Sequence, residues 1–230
     1  DLSMEGFVTP VPESPLAKSL AAHQPTDIAV TLAGYLPENL AFCSASAPML
    51  EGAAGTGYEM THILFSLLGS FLEGDAGKAL NARFEKLTAQ CVNGRAIGMT
   101  VPPKDGTGAA TLVAVYQVQK PQEAAAAMHA FVEELIRARN GVMGGMLTDV
   151  IKIFSKPNNE MIEQTPVDLM RLIISTGDAT AKPISLEMRV AYTNDKMLVA
   201  MGEGSKAEIT AMIGRVKGRG AGFTTGKRFI

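Results

Sequence analysis

Hydrophobic residues recur at steps of three and four along several stretches of the chain, a spacing that places them on one face of a helix. This spacing predicts helices at 60–71, 78–91, 121–139 and 143–154. The helix at 121–139 also has recognisable ends, because Pro121 suits a first helical position and Gly141 suits the residue after the last turn. Ser14 and Pro15 indicate a further short helix near the N-terminus.

Other stretches show a period of two, or a short apolar run between turn residues, as strands do. These patterns predict strands at 40–46, 95–101, 110–118, 185–193 and 196–202. Asn194 and Asp195 separate the last two strands and suit a tight turn. Ser205 and Glu208 then have the spacing of a capping box, which predicts a helix that ends at Gly218.

The order strand, turn, strand, helix occurs twice, at 94–139 and at 185–217. It predicts an α+β fold in which an antiparallel sheet carries helices packed on one face. We expect this domain to span 31–217, with two related strand-strand-helix halves at about 31–141 and 142–217.

Three segments depart from this plan. Residues 1–30 contain several prolines and predict an extended arm with one short helix. Residues 218–230 combine alternating glycines with Arg and Lys residues and predict a flexible basic tail rather than a phosphate site. The segment 165–175 fits both periods, and we interpret it as a helix because Thr165 and Asp168 are good helix-start residues.

The composition, the net charge and the length of the apolar stretches limit the classes of protein to which the chain can belong. Hydrophobic residues make up 47% of the chain, and the formal net charge is -2, which gives no general reason to expect nucleic acid as a partner. The longest strongly apolar stretch, at 63–72, is about half as long as a membrane-spanning helix needs to be. The sequence therefore predicts a soluble globular protein without a transmembrane segment.

A glycine-rich loop follows the first predicted strand and precedes a predicted helix, the order found in phosphate-binding loops. Gly52 and Gly57 have the spacing of that motif, but Tyr58 and Glu59 stand where it requires Lys and a hydroxyl residue. A carboxylate at this position would repel a phosphate. We therefore predict a structural loop and no nucleotide cofactor.

The two cysteines, Cys43 and Cys91, are too far apart in sequence for a CxxC metal or redox motif. We favour two buried thiols that behave as small apolar side chains. The alternative is a disulfide between them, which an oxidising compartment would permit.

Few residues suggest catalysis. His23, His62 and His129 do not have HExxH spacing, so we expect helix histidines and no metal site. No aspartate is followed by Ser or Thr and then Gly, as an aspartic protease would require. A carboxylate pair could still assemble from loops, and Asp105 and Asp178 are the first residues to test for it.

The segments "LPENLAFCSAS" and "MRVAYTNDKMLVAMGEGSKAEITAMIGRVK" resemble a poorly characterised family of exported bacterial proteins that carry a domain of unknown function. The segment "LVAVYQVQKPQEAAAAMHAFVEEL" follows the same plan of a strand that leads into a helix. The resemblance spans about 40–217, and 142–184 departs from it. It implies an exported, envelope-associated location and supplies no catalytic residues.

These observations favour a non-catalytic binding or structural protein of the bacterial cell envelope or secretome, with a protein or an envelope component as partner. The alternative is a secreted hydrolase, such as a peptidase that acts on surface or host glycoproteins through loop carboxylates. The two hypotheses differ in what the surface should show. An enzyme needs a cleft with converging polar groups, whereas a binding protein needs an exposed apolar patch or an open sheet edge.

Overall fold

The structure, a computed structural model, describes residues 27–46, 75–91, 94–101, 110–142, 151–175 and 183–223. Within these ranges the helices are α1 (Asp27–Ala33), α2 (Asp75–Ala89), α3 (Pro121–Val142) and α4 (Ser205–Val216). The strands are β1 (Leu40–Ser46), β2 (Arg95–Thr100), β3 (Leu112–Gln117), β4 (Ile151–Ile162), β5 (Thr165–Ile174), β6 (Ile184–Thr193) and β7 (Lys196–Met201).

All these strands form one antiparallel sheet in the order β1-β2-β3-β7-β6-β5-β4. The central pair joins the two halves of the chain, and Val115 on β3 lies opposite Leu198 on β7. The predicted turn between β6 and β7 is present, with Thr193 opposite Lys196 and a positive φ of 54° at Asn194. The α+β class and the antiparallel sheet are therefore confirmed.

The helices cover both faces of the sheet, whereas the sequence predicted them on one face. Val113 and Val115 of β3 belong to a cluster with α1 and α4, and the intervening Ala114 belongs to a second cluster with α2 and α3. Because β3 carries apolar residues on both faces, each face needs its own cover. We call these the α1/α4 face and the α2/α3 face.

Three of the four described helices, α2, α3 and α4, agree with the sequence pattern, and the fourth was not predicted. α2 and α3 lie where they were expected and pack together, with the rings of Phe84 and Phe131 5.9 Å apart. α1 was missed, although Leu32 and Leu36 are buried in the α1/α4 cluster. The helices predicted near Ser14 and at 60–71 lie outside the described residues.

Two further helix predictions were wrong. β4 begins at Ile151 and occupies the last four residues of the segment predicted as a helix at 143–154, whose first eight residues lie outside the described ranges. β5 occupies 165–174. Both runs satisfy a period of two as well as a helical period, and pairing decides between them. Phe154 lies opposite Arg171, and Met170 lies opposite Met188, so β5 is hydrogen-bonded on both sides. Hydrogen bonding to neighbouring strands, and not the helical spacing of the local apolar residues, therefore sets the conformation of these segments.

The end of the domain also differs from the prediction. Gly204, not Ser205, precedes α4, and no side-chain cap is formed there. Residues 218–223, the described part of the predicted flexible tail, are held on the domain by Phe223, whose amide donates to the Leu36 carbonyl at 3.0 Å. Gly222 lies so close to Gly34 that a Cβ added at Gly222 would be 1.6 Å from the Gly34 carbonyl oxygen.

Candidate binding edge of the sheet

The two edges of the described sheet differ in their protection against further pairing. On β4, Lys152 and Lys156 are exposed, Pro157 removes a backbone donor, and Asn158 has a φ of 51°. The register with β5 also shifts between Lys156 and Glu160. Charges, proline and irregular backbone are the devices by which edge strands avoid pairing with other chains.

The β1 edge has none of these charges or prolines, because its sequence is LAFCSAS. Ala41, Ser44 and Ala45 are exposed and small, so no bulky side chain hinders the approach of another strand. Among the described strands, β1 pairs only with β2. No other described strand uses its outer backbone donors and acceptors, and a row of such groups is a template for a partner strand.

An apolar surface lies beside this edge. Phe42, Met99 and Val101 are 57%, 42% and 48% exposed, and together they form what we call the Phe42 patch. Phe42 lies opposite Met99 on the α2/α3 face. A row of half-buried apolar residues continues from the patch across the sheet: Leu112, Met201, Met188 and Met170. Methionine side chains adapt to irregular partners, which suits a binding surface.

Gly98 on β2 positions the patch. The register of β1 shifts between Leu40 and Phe42, so one extra residue bulges out of the strand. A Cβ added at Gly98 would lie 2.9 Å from the Phe42 carbonyl oxygen and from a methyl carbon of Leu40. Glycine therefore lets the bulge approach β2. The bulge buries Leu40 in the α1/α4 cluster while Phe42 stays exposed.

A polar cluster lies between α3 and β5. His129 Nε2 is 2.5 Å from Asp168 Oδ2, and the Asn158 amide donates to Asp168 Oδ1 at 2.8 Å. Burial, with the negative charge of Asp168, raises the pKa of the Tyr192 hydroxyl, so Tyr192 is neutral near neutral pH. The His129–Asp168 contact joins α3 to β5.

A buried arginine organises a second polar cluster on the α1/α4 face. Arg189 Nη1 donates to Glu187 Oε2 at 2.9 Å and to Ser205 Oγ at 2.7 Å, and Nη2 donates to Glu160 Oε1 at 3.2 Å. The Arg189 side chain is 7% exposed. The Ser205 hydroxyl, on the first residue of α4, therefore accepts from Arg189.

The carboxylates of this cluster remain ionised. Burial alone would raise the pKa of Glu160, but hydrogen bonds from Lys206 and Arg189 outweigh it and lower that pKa. Burial alone would also raise the pKa of Glu187, but hydrogen bonds from Arg189 and Arg171 outweigh it and lower that pKa. Both groups are anions at neutral pH, so neither can serve as a general acid.

The two cysteines are free thiols in the structure. Cys43 packs against the cluster on the α1/α4 face, and Cys91 packs against the cluster on the α2/α3 face. Burial raises the pKa of Cys91 to about 12 and also raises the pKa of Cys43. Raised thiol pKa values disfavour the reactive thiolate.

Several residues singled out in the sequence lie outside the described residues, namely Asp105, Asp178, His23, His62 and the loop 52–57. Among the residues that are described, no three His, Cys, Asp or Glu side chains are grouped so as to hold a metal ion. None of the described helices has the length and apolar character needed to cross a bilayer.

No protein-family model matches this chain, and a search of curated proteins gives no significant match. The resemblance to exported bacterial proteins therefore stays a prediction.

Proposed function

We propose that the protein is a non-catalytic binding protein of the bacterial cell envelope or secretome, and that it binds an extended polypeptide segment along β1. The observation that carries the proposal is the juxtaposition of the Phe42 patch with an uncharged strand edge that has no further neighbour among the described strands. Strand addition takes its affinity from main-chain hydrogen bonds and its specificity from contacts with alternate side chains. The β1 edge offers the main-chain hydrogen bonds, and the Phe42 patch offers the side-chain contacts.

The contrast between the edges supports this assignment. Lys152, Pro157 and the irregular backbone at Asn158 make β4 a poor template for another strand. β1 has a bulge only at its beginning, and residues 42–46 pair regularly with β2. A partner strand is therefore expected at β1 and not at β4.

The location in the envelope or secretome rests on the resemblance of "LPENLAFCSAS" and of 188–217 to exported bacterial proteins. β1 is itself part of the first of these segments. The partner is accordingly expected among proteins of the same compartment.

The experiment uses a fluorescein-labelled peptide with the sequence of residues 38–46 and serine in place of Cys43. The fluorescence anisotropy of the peptide is measured while the wild-type chain, Phe42→Ala or Phe154→Ala is added at low concentration. Phe154 is a matched control, because it is 52% exposed on the opposite edge strand. We expect saturable binding that is about tenfold weaker for Phe42→Ala, as for truncated aromatic anchors, and unchanged for Phe154→Ala.

Equal binding to all three proteins, or none to the wild type, would contradict the proposal. The hydrolase alternative has its own test, which is incubation of the chain with casein and with mucin. Turnover that is abolished by Asp105→Ala or by Asp178→Ala would replace the binding role with a catalytic one.

A further inference from the structure

We propose that the polypeptide bound along β1 is β1 of a second copy of this chain, paired antiparallel across a two-fold axis at Ser44. This inference rests on the proposed binding role of β1 and names its partner. It follows from the directions of the backbone groups in β2 and β1, and from the composition of the edge.

The backbone of β2 alternates between its two neighbours. The amide of Thr100 donates to the Thr111 carbonyl next to β3 at 2.9 Å, and the amide of Val101 donates to the Asn39 carbonyl next to β1 at 2.9 Å. In an antiparallel ladder, opposite residues alternate between hydrogen-bonded and non-hydrogen-bonded pairs. Even-numbered residues of β2 therefore bond to β3, and odd-numbered residues bond to β1.

The register then fixes which groups of β1 point outward. Ser44 lies opposite Ile97, an odd-numbered residue, so the amide and carbonyl of Ser44 are used in the ladder with β2. The amides and carbonyls of Cys43 and Ala45 consequently point to the outer edge. No described strand pairs with these four groups, and a partner strand can satisfy them.

A second β1 satisfies them in one register. A two-fold axis perpendicular to the sheet keeps each side chain on its own face, so the axis has to pass beside a residue that lies opposite itself. With Ser44 on the axis, Cys43 lies opposite Ala45 of the second copy, and Ala45 lies opposite its Cys43. All four outward groups of each strand are then paired within the regular stretch 42–46.

The composition of the edge suits self-pairing. Like charges placed directly opposite each other destabilise a strand pair, and β1 carries no charge. The Phe42 patches of both copies would lie on the same side of the joined sheet, where each extends the apolar row of its own copy. A closed two-fold pair also stops at two copies, because β4 is protected at the far edge.

The register is tested by disulfide trapping in the full chain with Cys43→Ala and Cys91→Ala. Ser44→Cys is the test, and Ser155→Cys, an exposed serine on the opposite edge strand, is the matched control. Opposite residues of a non-hydrogen-bonded pair have Cα atoms about 4.5 Å apart, within the range of about 4.4–6.8 Å for disulfides. We expect a covalent dimer from Ser44→Cys and none from Ser155→Cys.

The state of the untrapped chain is measured by light scattering after size exclusion, with a dimer expected for the wild type. Ala45→Pro removes an outward amide without touching the ladder with β2, and we expect it to raise the dimer dissociation constant at least about tenfold. Circular dichroism checks that this variant is folded. Ala45→Lys, which adds a charge to the edge, replaces it if it is not.

Each outcome decides the proposal. A wild-type dimer that Ser44→Cys traps and the Ala45 variant dissociates supports it. A dimer that is not trapped, or that persists in the folded variant, overturns it. A chain that stays monomeric at about 100 μM also overturns it. If that monomer still binds the β1 peptide, the proposed binding role stands. If it does not bind the peptide, the binding role falls as well.

Discussion

Replacement of Arg189 gives a direct test of what the buried ion network contributes to stability. Arg189 and Arg171 both donate to Glu187, but the Arg189 side chain is 7% exposed and the Arg171 side chain is 45% exposed. Arg189→Ala and Arg171→Ala therefore remove the same type of partner from one carboxylate at two different depths. The comparison separates the effect of burial from that of charge.

The expected loss in the free energy of unfolding depends on which partners each carboxylate keeps after the substitution. Removal of one partner from a buried ion pair costs about 3–5 kcal/mol. Glu160 keeps Lys206 at 3.2 Å and Glu187 keeps Arg171, so Arg189→Ala belongs at the lower end, about 3 kcal/mol. For a chain of this size, this lowers the Tm by about 6–12 °C. Arg171→Ala removes an exposed pair and should cost less than about 1 kcal/mol.

Urea unfolding and thermal unfolding, both followed by circular dichroism at pH 7, measure these losses. The pKa values of Glu160 and Glu187 are lowered in the folded state, so their contribution is full above the usual glutamate pKa of 4.5 and is lost as the pH falls through the lowered values. Arg189→Ala should weaken this loss of stability below pH 4.5. Equal free energies of unfolding for both arginine variants, or an unchanged acid limb, would refute the reasoning.

Three further predictions concern other parts of the fold. Gly222→Ala should destabilise the chain by about 1–3 kcal/mol, because its Cβ would clash with the backbone of Gly34. Gly214→Ala in α4 is the control and should not destabilise it, because its Cβ would make only an ordinary contact. Urea unfolding compares the two variants. Iodoacetamide at pH 8 should alkylate Cys43 faster than Cys91, whose pKa is raised to about 12, as mass spectrometry of the native chain would show; equal rates would contradict this. Asp168→Ala should lower stability by about 1 kcal/mol, because the partly buried His129 ring and the Asn158 amide both lose their hydrogen-bond partner. A Tm equal to that of the wild type would exclude a stabilising role for these contacts.

The sequence predicted those elements whose ends carry local signals. Pro121 marks the start of α3, and the turn at Asn194 joins two strands that alternate clearly. In contrast, Ile151 and Phe154 on β4 also satisfy a helical spacing, and the residues of "SKPNNE" predicted a stop rather than a bulge inside a strand. Only the pairing partner resolves such short apolar runs, and that partner is remote in sequence.

The candidate site could be predicted only in part. The uncharged run in β1 is visible in the sequence, and so is Phe42 within it. What makes them a candidate site is the position of β1 at the end of the strand order, with no described neighbour beyond it. Strand order is set by packing across the whole sheet, so no local pattern around Phe42 could reveal which strand would be left at the edge.

The central pair of β3 and β7 has a consequence for how the chain folds. β4 to β7 follow one another and pair with near neighbours, so this part can form early, whereas β3 meets β7 only across a long stretch of intervening chain. Contacts of such wide separation slow folding. During synthesis the N-terminal half emerges first. Until β7 has been synthesised, β3 lacks its partner strand and is a second unpaired edge, which chaperones would need to cover.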